Sequence, residues 1–130
     1  MVYNGSKITL AIIDGVAELT FNNQDESVNK FDRATLAELR EVVDVLKGAE
    51  GVTGMIAQSA KKDFIVGADI TEFGGAAQGK SLQEAQAAME NSTKPVVAAI
   101  HGTALGGGLE TAMAAHYRVG IATAKFGLPE

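Results

Sequence analysis

The chain contains no cysteine. Disulfides and thiolate metal ligands are therefore excluded, and the composition is compatible with a reducing compartment without requiring one. Histidine is scarce as well: His101 and His116 are the only two, too few to make a metal site by themselves. No apolar run approaches the roughly 18 residues that a membrane span needs. Met1 to Lys7 lacks a basic stretch leading into an apolar core, so no secretory leader is expected there. An excess of positive charge is also missing. The formal charge of -5 argues against a general nucleic-acid surface, and Lys61-Lys62 is the only basic doublet that could help hold an anionic ligand.

What is present is a modest chain of 130 residues with 46% hydrophobic content, enough for a real core in one domain or in part of a larger one. Its most informative stretch runs from Lys94 to Glu110. Val96 to Ile100 is an unbroken apolar run behind Pro95, which suits a strand covered on both faces. Gly106-Gly107-Gly108 then allows a sharp turn and close backbone approach. Leu109 to Tyr117 has no Gly or Pro and can continue as helix. Free N–H groups are thus expected at a helix N-terminus, with the carboxylate of Glu110 in its first turn. Such groups attract negative charge. They suit a thioester or other carbonyl oxygen that becomes negative during reaction, with Glu110 moving protons beside it. The same residues also suit a Gly-rich connector whose carboxylate is favourably placed on the helix dipole, and residue types alone leave both readings open.

The rest of the chain predicts an α/β layered domain. Lys7–Ile13 and Val16–Phe21 flank Asp14-Gly15, a strong hairpin signal. Asp32 is a plausible N-cap for a helix to about Lys47, with Leu36, Leu39, Val43 and Leu46 on one face and Gly48 as its stop. Met55-Ile56-Ala57 reads as a short buried strand, and Phe64 to Ile70 as a small apolar segment. Gly74 to Lys80 reads as a loop, and Ser81-Leu82-Gln83-Glu84 as a capping box opening a helix to about Asn91, with Met89 in the core. Tyr117 to Ala122 reads as a further strand. The order, a hairpin and then alternating β and α, predicts a sheet that becomes parallel through right-handed crossovers. No internal repeat or linker divides residues 1–130, so one domain is expected. The chain stops just after a strand, as if cut before its fold is complete.

A competing motif lies at Gly74-Gly75-Ala76-Ala77-Gln78-Gly79-Lys80-Ser81, which fits the phosphate-loop pattern letter for letter. The strand that should precede such a loop is poor here (Asp69 to Phe73), and no apolar strand ending in Asp is present to hold Mg²⁺. A nucleotide-binding module is the less favoured reading.

Three segments together resemble the enoyl-CoA hydratase/isomerase (crotonase) superfamily: Phe64 to Ile70, Ile100 to Glu110, and Phe126-Gly127-Leu128-Pro129-Glu130. The N-terminal part, with Glu26 to Phe31, resembles the α-subunit of bacterial fatty-acid oxidation complexes, and the part from Lys94 onward is equally similar to peroxisomal multifunctional β-oxidation enzymes. The resemblance implies a crotonase spiral of ββα units, C-terminally incomplete in these residues. It implies that the backbone N–H groups of Ala68 and Gly107 form an oxyanion hole for an acyl-CoA thioester. Glu110 and Glu130 would act on a water between them, Glu110 as base for attack at C3 and Glu130 as proton donor to C2. Val66, Gly67, Ala68, Asp69 and Ile70 would line the CoA site. Hydration of 2-trans-enoyl-CoA is the implied activity, with Δ3-Δ2 isomerisation as a second one. The alternatives are a catalytically silent fragment that binds acyl-CoA and the nucleotide module.

Hydration implies no cofactor beyond the CoA-thioester substrate. NAD is expected only in a dehydrogenase part that these residues do not include. The implied partners are acyl-CoA and, for a full-length protein, an oligomer or β-oxidation complex. The implied location is the cytoplasm or, alternatively, the peroxisome. By residue type alone, Asp69 reads as a turn or helix-cap residue rather than an acid catalyst, and His101 as a structural hydrogen-bonding group. His116 and Arg118 read as complements to a helix dipole, and Lys61 and Lys62 as a solvated pair.

Overall fold

The computed structural model describes residues 2–67 and 76–127, with 76–81 described by their backbone alone. Strand β1 (Tyr3–Asn4) leads into the expected hairpin, β2 (Ile8–Ile13) and β3 (Val16–Phe21). Asp14 and Gly15 both have positive φ, 52° and 82°. This is the left-handed pair that a two-residue turn needs if it is to match the twist of its strands. Helix α1 (Arg33–Gly48) follows, with Asp32 as its N-cap accepting a hydrogen bond from Thr35 N at 2.8 Å. Then come β4 (Gly54–Ser59), α2 (Ala76–Glu90), β5 (Val96–Ile100), β6 (Thr103–Leu105), α3 (Gly107–Ala114), β7 (Tyr117–Gly120) and β8 (Lys125–Gly127).

The large sheet has the order β1-β2-β3-β4-β5-β7. Its first two pairings are antiparallel and the other three parallel, so α1, α2 and α3 are the crossovers β3–α1–β4, β4–α2–β5 and β5–α3–β7. The register lines up Leu10, Leu19, Ala57 and Ala98 across four strands, and all four are buried.

A second, small sheet was not expected. Strands β6 and β8 pair in parallel, and Ile65 adds a parallel bridge to Ala104 of β6. After each of β4, β5 and β7 the chain therefore contributes a short extended piece to this second layer. That pattern is the repeating ββα spiral, although the sequence shows no repeat. The strand–turn–helix expected after Ile100 is correspondingly strand–strand–helix.

Two helix expectations are corrected. The buried stripe of α1 is Thr35, Leu36, Leu39 and Val42, with Val43 turned to the flank, because spacings of three and four residues carry the stripe one position back. Helix α2 begins at Ala76, not after Ser81. Ala, Gln and Lys are good helix formers, and Gly79 alone does not stop the helix. Ser81 lies in the second turn, inside the helix and not at its start. Gly79-Lys80-Ser81 are helical, so the phosphate-loop reading loses its loop; Gly74 and Gly75 lie outside the described residues. Leu82 and Met89 are in the core, as expected of Met89.

Beneath the carboxyl ends of the strands sit three fully buried phenylalanines, Phe21, Phe31 and Phe64. Phe21 meets Phe31 and Phe64 edge-on, with centroids 6.0 and 6.4 Å apart. Helix α3 docks through Gly108. A Cβ at that position would fall within bonding range of the carbonyl group of Ile65. The opposite flank is held by charge: Lys7, 8% exposed, donates from Nζ to Asn23 Oδ1 at 2.9 Å and Asp25 Oδ2 at 2.8 Å. The Glu38 carboxylate of α1 accepts the N–H groups of Lys7 and Ile8 at 2.9 and 3.0 Å.

Two expectations follow. Gly108→Ala forces backbone apart and should destabilise the chain by about 1–3 kcal/mol. Gly48→Ala, with open space around it, should instead stabilise by about 0.4–1 kcal/mol. Urea unfolding of both variants checks this, and equal effects would contradict the docking contact. The second concerns alkaline pH. The hydrogen bond to Asp25 outweighs burial and raises the Lys7 pKa above its ordinary 10.5. Its contribution is thus present below 10.5 and is lost as pH climbs through the higher folded value. Tyr3 is also raised, by burial and by its hydrogen bond to Glu41, and acts in the same direction, so the comparison belongs in a Tyr3→Phe background. There, thermal midpoints should fall less steeply with alkaline pH in Lys7→Met than in its parent.

Candidate active site

Helix α3 starts without a side-chain cap. Its N-cap is Gly106, with φ 50° and ψ -119°. The Gly106 N–H is taken by Gly127 O at 2.9 Å, and the first helical bond runs from Glu110 N to Gly106 O at 2.9 Å. The N–H groups of Gly107, Gly108 and Leu109 therefore have no acceptor within the helix, and they carry the positive end of its dipole. Glu110 is exposed in this first turn, and its carboxylate takes part in no hydrogen bond or ion pair among the described residues.

Against this helix start lies the segment 64–67. Phe64 N donates to Thr103 O at 3.0 Å, and Leu105 N donates to Ile65 O at 3.0 Å, which fastens the segment to β6. On its other side, Val66 N donates to Asn29 O at 2.9 Å and Phe31 N donates to Gly67 O at 2.8 Å. Segment 64–67 is thus held between the 29–31 loop and β6, and it arrives at Gly67 directly beside the N-terminus of α3. Thr111, fully buried, donates to Gly107 O at 2.8 Å and accepts from Gln86 Nε2 of α2 at 3.0 Å.

Of the residues expected to form a site, the structure brings together Val66, Gly67, Gly107 and Glu110. Ala68, Asp69, Ile70 and Glu130 lie outside the described residues. The secondary expectations divide. Arg118 donates to three carbonyls at the end of α3, those of Ala112, Met113 and Ala115, as the dipole argument anticipates. His101 is structural, with Nε2 donating to Lys61 O at 2.5 Å. His116 serves other elements instead. Its Nδ1 accepts from Val96 N at 3.0 Å and its Nε2 donates to Glu90 O at 3.0 Å, which fixes a neutral tautomer and ties β5 to the end of α2.

The polar residues that the sequence left unremarked are Asn29, Ser59, Asp63 and Thr111. Their one available signal is their position at element ends beside the apolar runs. Among the described residues no group of three His, Asp or Glu is placed to hold a metal ion. No helix among them is long and apolar enough to cross a membrane. Open grooves among the described residues include two on the flanks. One, about 440 Å³, lies between the ends of α1 and α2 at the amino ends of β4 and β5. The other, about 470 Å³, runs along α3 between Leu109, Met113, Ile121 and Phe126.

A family model described as Enoyl-CoA hydratase/isomerase matches residues 11–130. The Fatty acid oxidation complex subunit alpha of Pseudomonas entomophila (strain L48) is 47% identical over 143 residues, covering 100% of this chain and 20% of that protein. The protein of the same name from Ectopseudomonas oleovorans is 48% identical with the same coverage, so the chain spans about a fifth of the length of these curated relatives. Among solved structures, an enoyl-CoA hydratase/isomerase from Xanthobacter autotrophicus Py2 superposes with a TM-score of 0.86 at 28% identity, over 98% of this chain and 50% of that one. The enoyl-CoA hydratase of Bacillus anthracis does so with a TM-score of 0.83 at 26% identity, over 94% and 50%. With its ββα spiral and a family match from residue 11 onward, the chain belongs to the enoyl-CoA hydratase/isomerase (crotonase) family.

Proposed function

We propose that this chain forms the part of a fatty-acid β-oxidation protein that hydrates 2-trans-enoyl-CoA to 3-hydroxyacyl-CoA. The observation that carries the reading is the uncapped start of α3, with Gly107 leading it, the Glu110 carboxylate unengaged one residue beyond its free N–H groups, and segment 64–67 laid against it. The next N–H along that segment belongs to Ala68. It and the N–H of Gly107 would donate to the thioester oxygen. Each such donor supplies roughly 3 kcal/mol as negative charge develops there.

In this reading Glu110 takes a proton from water as the water oxygen bonds to C3. The C2=C3 electrons move toward the thioester, leaving enolate charge on its oxygen under the two donors. Glu130 then delivers a proton to C2, and the sum is addition of one water. The same pair of carboxyl groups could carry a proton from C2 to C4 through the dienolate and so shift a Δ3 double bond to Δ2, which is the isomerase reading. Val66 to Ile70 would hold the CoA end mainly by backbone contacts. No cofactor enters, and any assembly into a β-oxidation complex would belong to a longer protein.

Loss of the conjugated enoyl-thioester absorbance of crotonyl-CoA measures the reaction. The parent chain should hydrate crotonyl-CoA, and Glu110→Gln should lower the turnover rate by at least about 10²-fold, the usual scale of a general acid–base group. A folded parent without activity, or a variant equal to its parent, would overturn the proposal.

A further inference from the structure

A single buried amide grips segment 64–67 from the side away from α3. Asn29 is 2% exposed, and every polar atom of its side chain is engaged. Its Oδ1 accepts from Asn23 N at 3.0 Å. Its Nδ2 faces Ser59 Oγ at 2.8 Å, Phe64 O at 3.0 Å and Phe21 O at 3.1 Å. Two amide protons serve three acceptors, so the long contact to Phe21 O is shared. The main chain of the same residue accepts from Val66 N at 2.9 Å. Asn29 thus holds the segment at Phe64 and at Val66, and it is itself anchored to the carboxyl ends of β3 and β4.

The hydrogen bonds continue beyond it. Ser59 Oγ donates to Asp63 O at 2.7 Å, and Asp63 Oδ1 accepts from Thr103 N at 2.9 Å, at the start of β6. One connected set of bonds therefore runs from β3 through Asn29 to β4, to segment 64–67 and to the strand that leads into α3. No other natural side chain of this length supplies one acceptor and two donors from a planar group. Aspartate would turn its oxygens on three acceptors, and leucine would take away the partners of Asn23 N and Phe64 O.

We propose that Asn29 is a positioning residue: its amide sets the distance between the segment ending at Gly67 and the N-terminus of α3, and so the aim of the two N–H groups on the thioester oxygen. This rests on the hydratase reading above. It assigns Asn29 no contact with substrate. The loss on its removal should fall on transition-state stabilisation, because a donor displaced by about 1 Å costs on the order of 10²-fold in rate.

The probe is 4-(dimethylamino)cinnamoyl-CoA, a push–pull thioester whose absorption band moves to the red when its carbonyl oxygen is polarised. Bound to the parent chain it should show that shift. Asn29→Ala should lose most of the shift at saturating probe, and should lower kcat for crotonyl-CoA by about 10–10²-fold with a smaller change in KM. Asn23→Ala is the control. Asn23 is as deeply buried in the same loop and binds Lys7 Nζ and Asp25 N, but its side chain makes no bond to segment 64–67. It should lose stability and keep the shift. If Asn29→Ala does not fold, Ser59→Ala carries the test, since it removes the hydroxyl between Asn29 and Asp63; a partial loss of shift is expected. Variants that match a red-shifting parent in shift and kcat would overturn the role of Asn29 alone. A parent that neither shifts the band nor hydrates crotonyl-CoA would overturn the role together with the reading beneath it.

Discussion

The contact on which the site geometry depends is backbone on backbone: the first turn of α3 lies against the carbonyl of Ile65, at a distance that leaves no room for a Cβ on Gly108. Any other residue would push the helix start away from segment 64–67. Glycine at Gly107 and Gly108 is a poor choice for helix stability, by roughly 0.5–1 kcal/mol each against alanine. Burial behind that turn offsets the loss. Ala112, Ala114 and Thr111 are inside, and Thr111 bonds back to Gly107 O while receiving Gln86 from α2. The helix is placed by its neighbours, as a short helix of weak intrinsic stability must be.

The two-layer threading explains why these segments meet at all. Each time the chain leaves the large sheet at a carboxyl end, it adds a short piece to the small one: Ile65 after β4, β6 after β5, β8 after β7. The pieces pair in parallel, so segment 64–67 and the approach to α3 run side by side and in the same direction. The backbone arriving at Gly67 and the backbone leading to Gly107 are therefore neighbouring, co-directed stretches. The edge-on packing of Phe21, Phe31 and Phe64 fills the volume beneath, which leaves little freedom for those stretches to slide.

Legibility from sequence followed the range of the interaction. The Asp14-Gly15 hairpin, the Asp32 cap, the Val96–Ile100 strand and the glycine turn are written in residues close together, and the structure has all four. Strands β6 and β8 are three residues long and exist only through pairing with distant chain, so no local pattern marks them. The start of α2 went the other way: a plausible capping box at Ser81 is overruled by four good helix formers before it, Ala76, Ala77, Gln78 and Lys80. Asn29 was invisible for a related reason. In a polar loop an asparagine reads as a solvated turn residue, and only tertiary structure shows it buried with its amide fully bonded. Among the expected site residues, Gly107 and Glu110 were reached by residue chemistry, whereas Ala68 and Glu130 came through family resemblance alone.

The polar groups at this end of the sheet divide into two sets. Asn29, Ser59, Asp63 and Thr111 have their hydrogen-bonding capacity turned inward, each on a neighbouring element. The N–H groups at the head of α3 and the carboxylate of Glu110 have no partner among the described residues. An unpaired donor normally relaxes toward any acceptor its own chain offers, because leaving it unmade costs on the order of 1–3 kcal/mol. Holding such donors open requires that every nearby acceptor be occupied and every nearby segment be fixed. The first set contributes to both, since it occupies the carbonyls of Phe21, Phe64, Asp63 and Gly107 and ties down the segments that bear them. The open groups can then keep one geometry before any ligand arrives, which is the condition for electrostatic stabilisation without reorganisation.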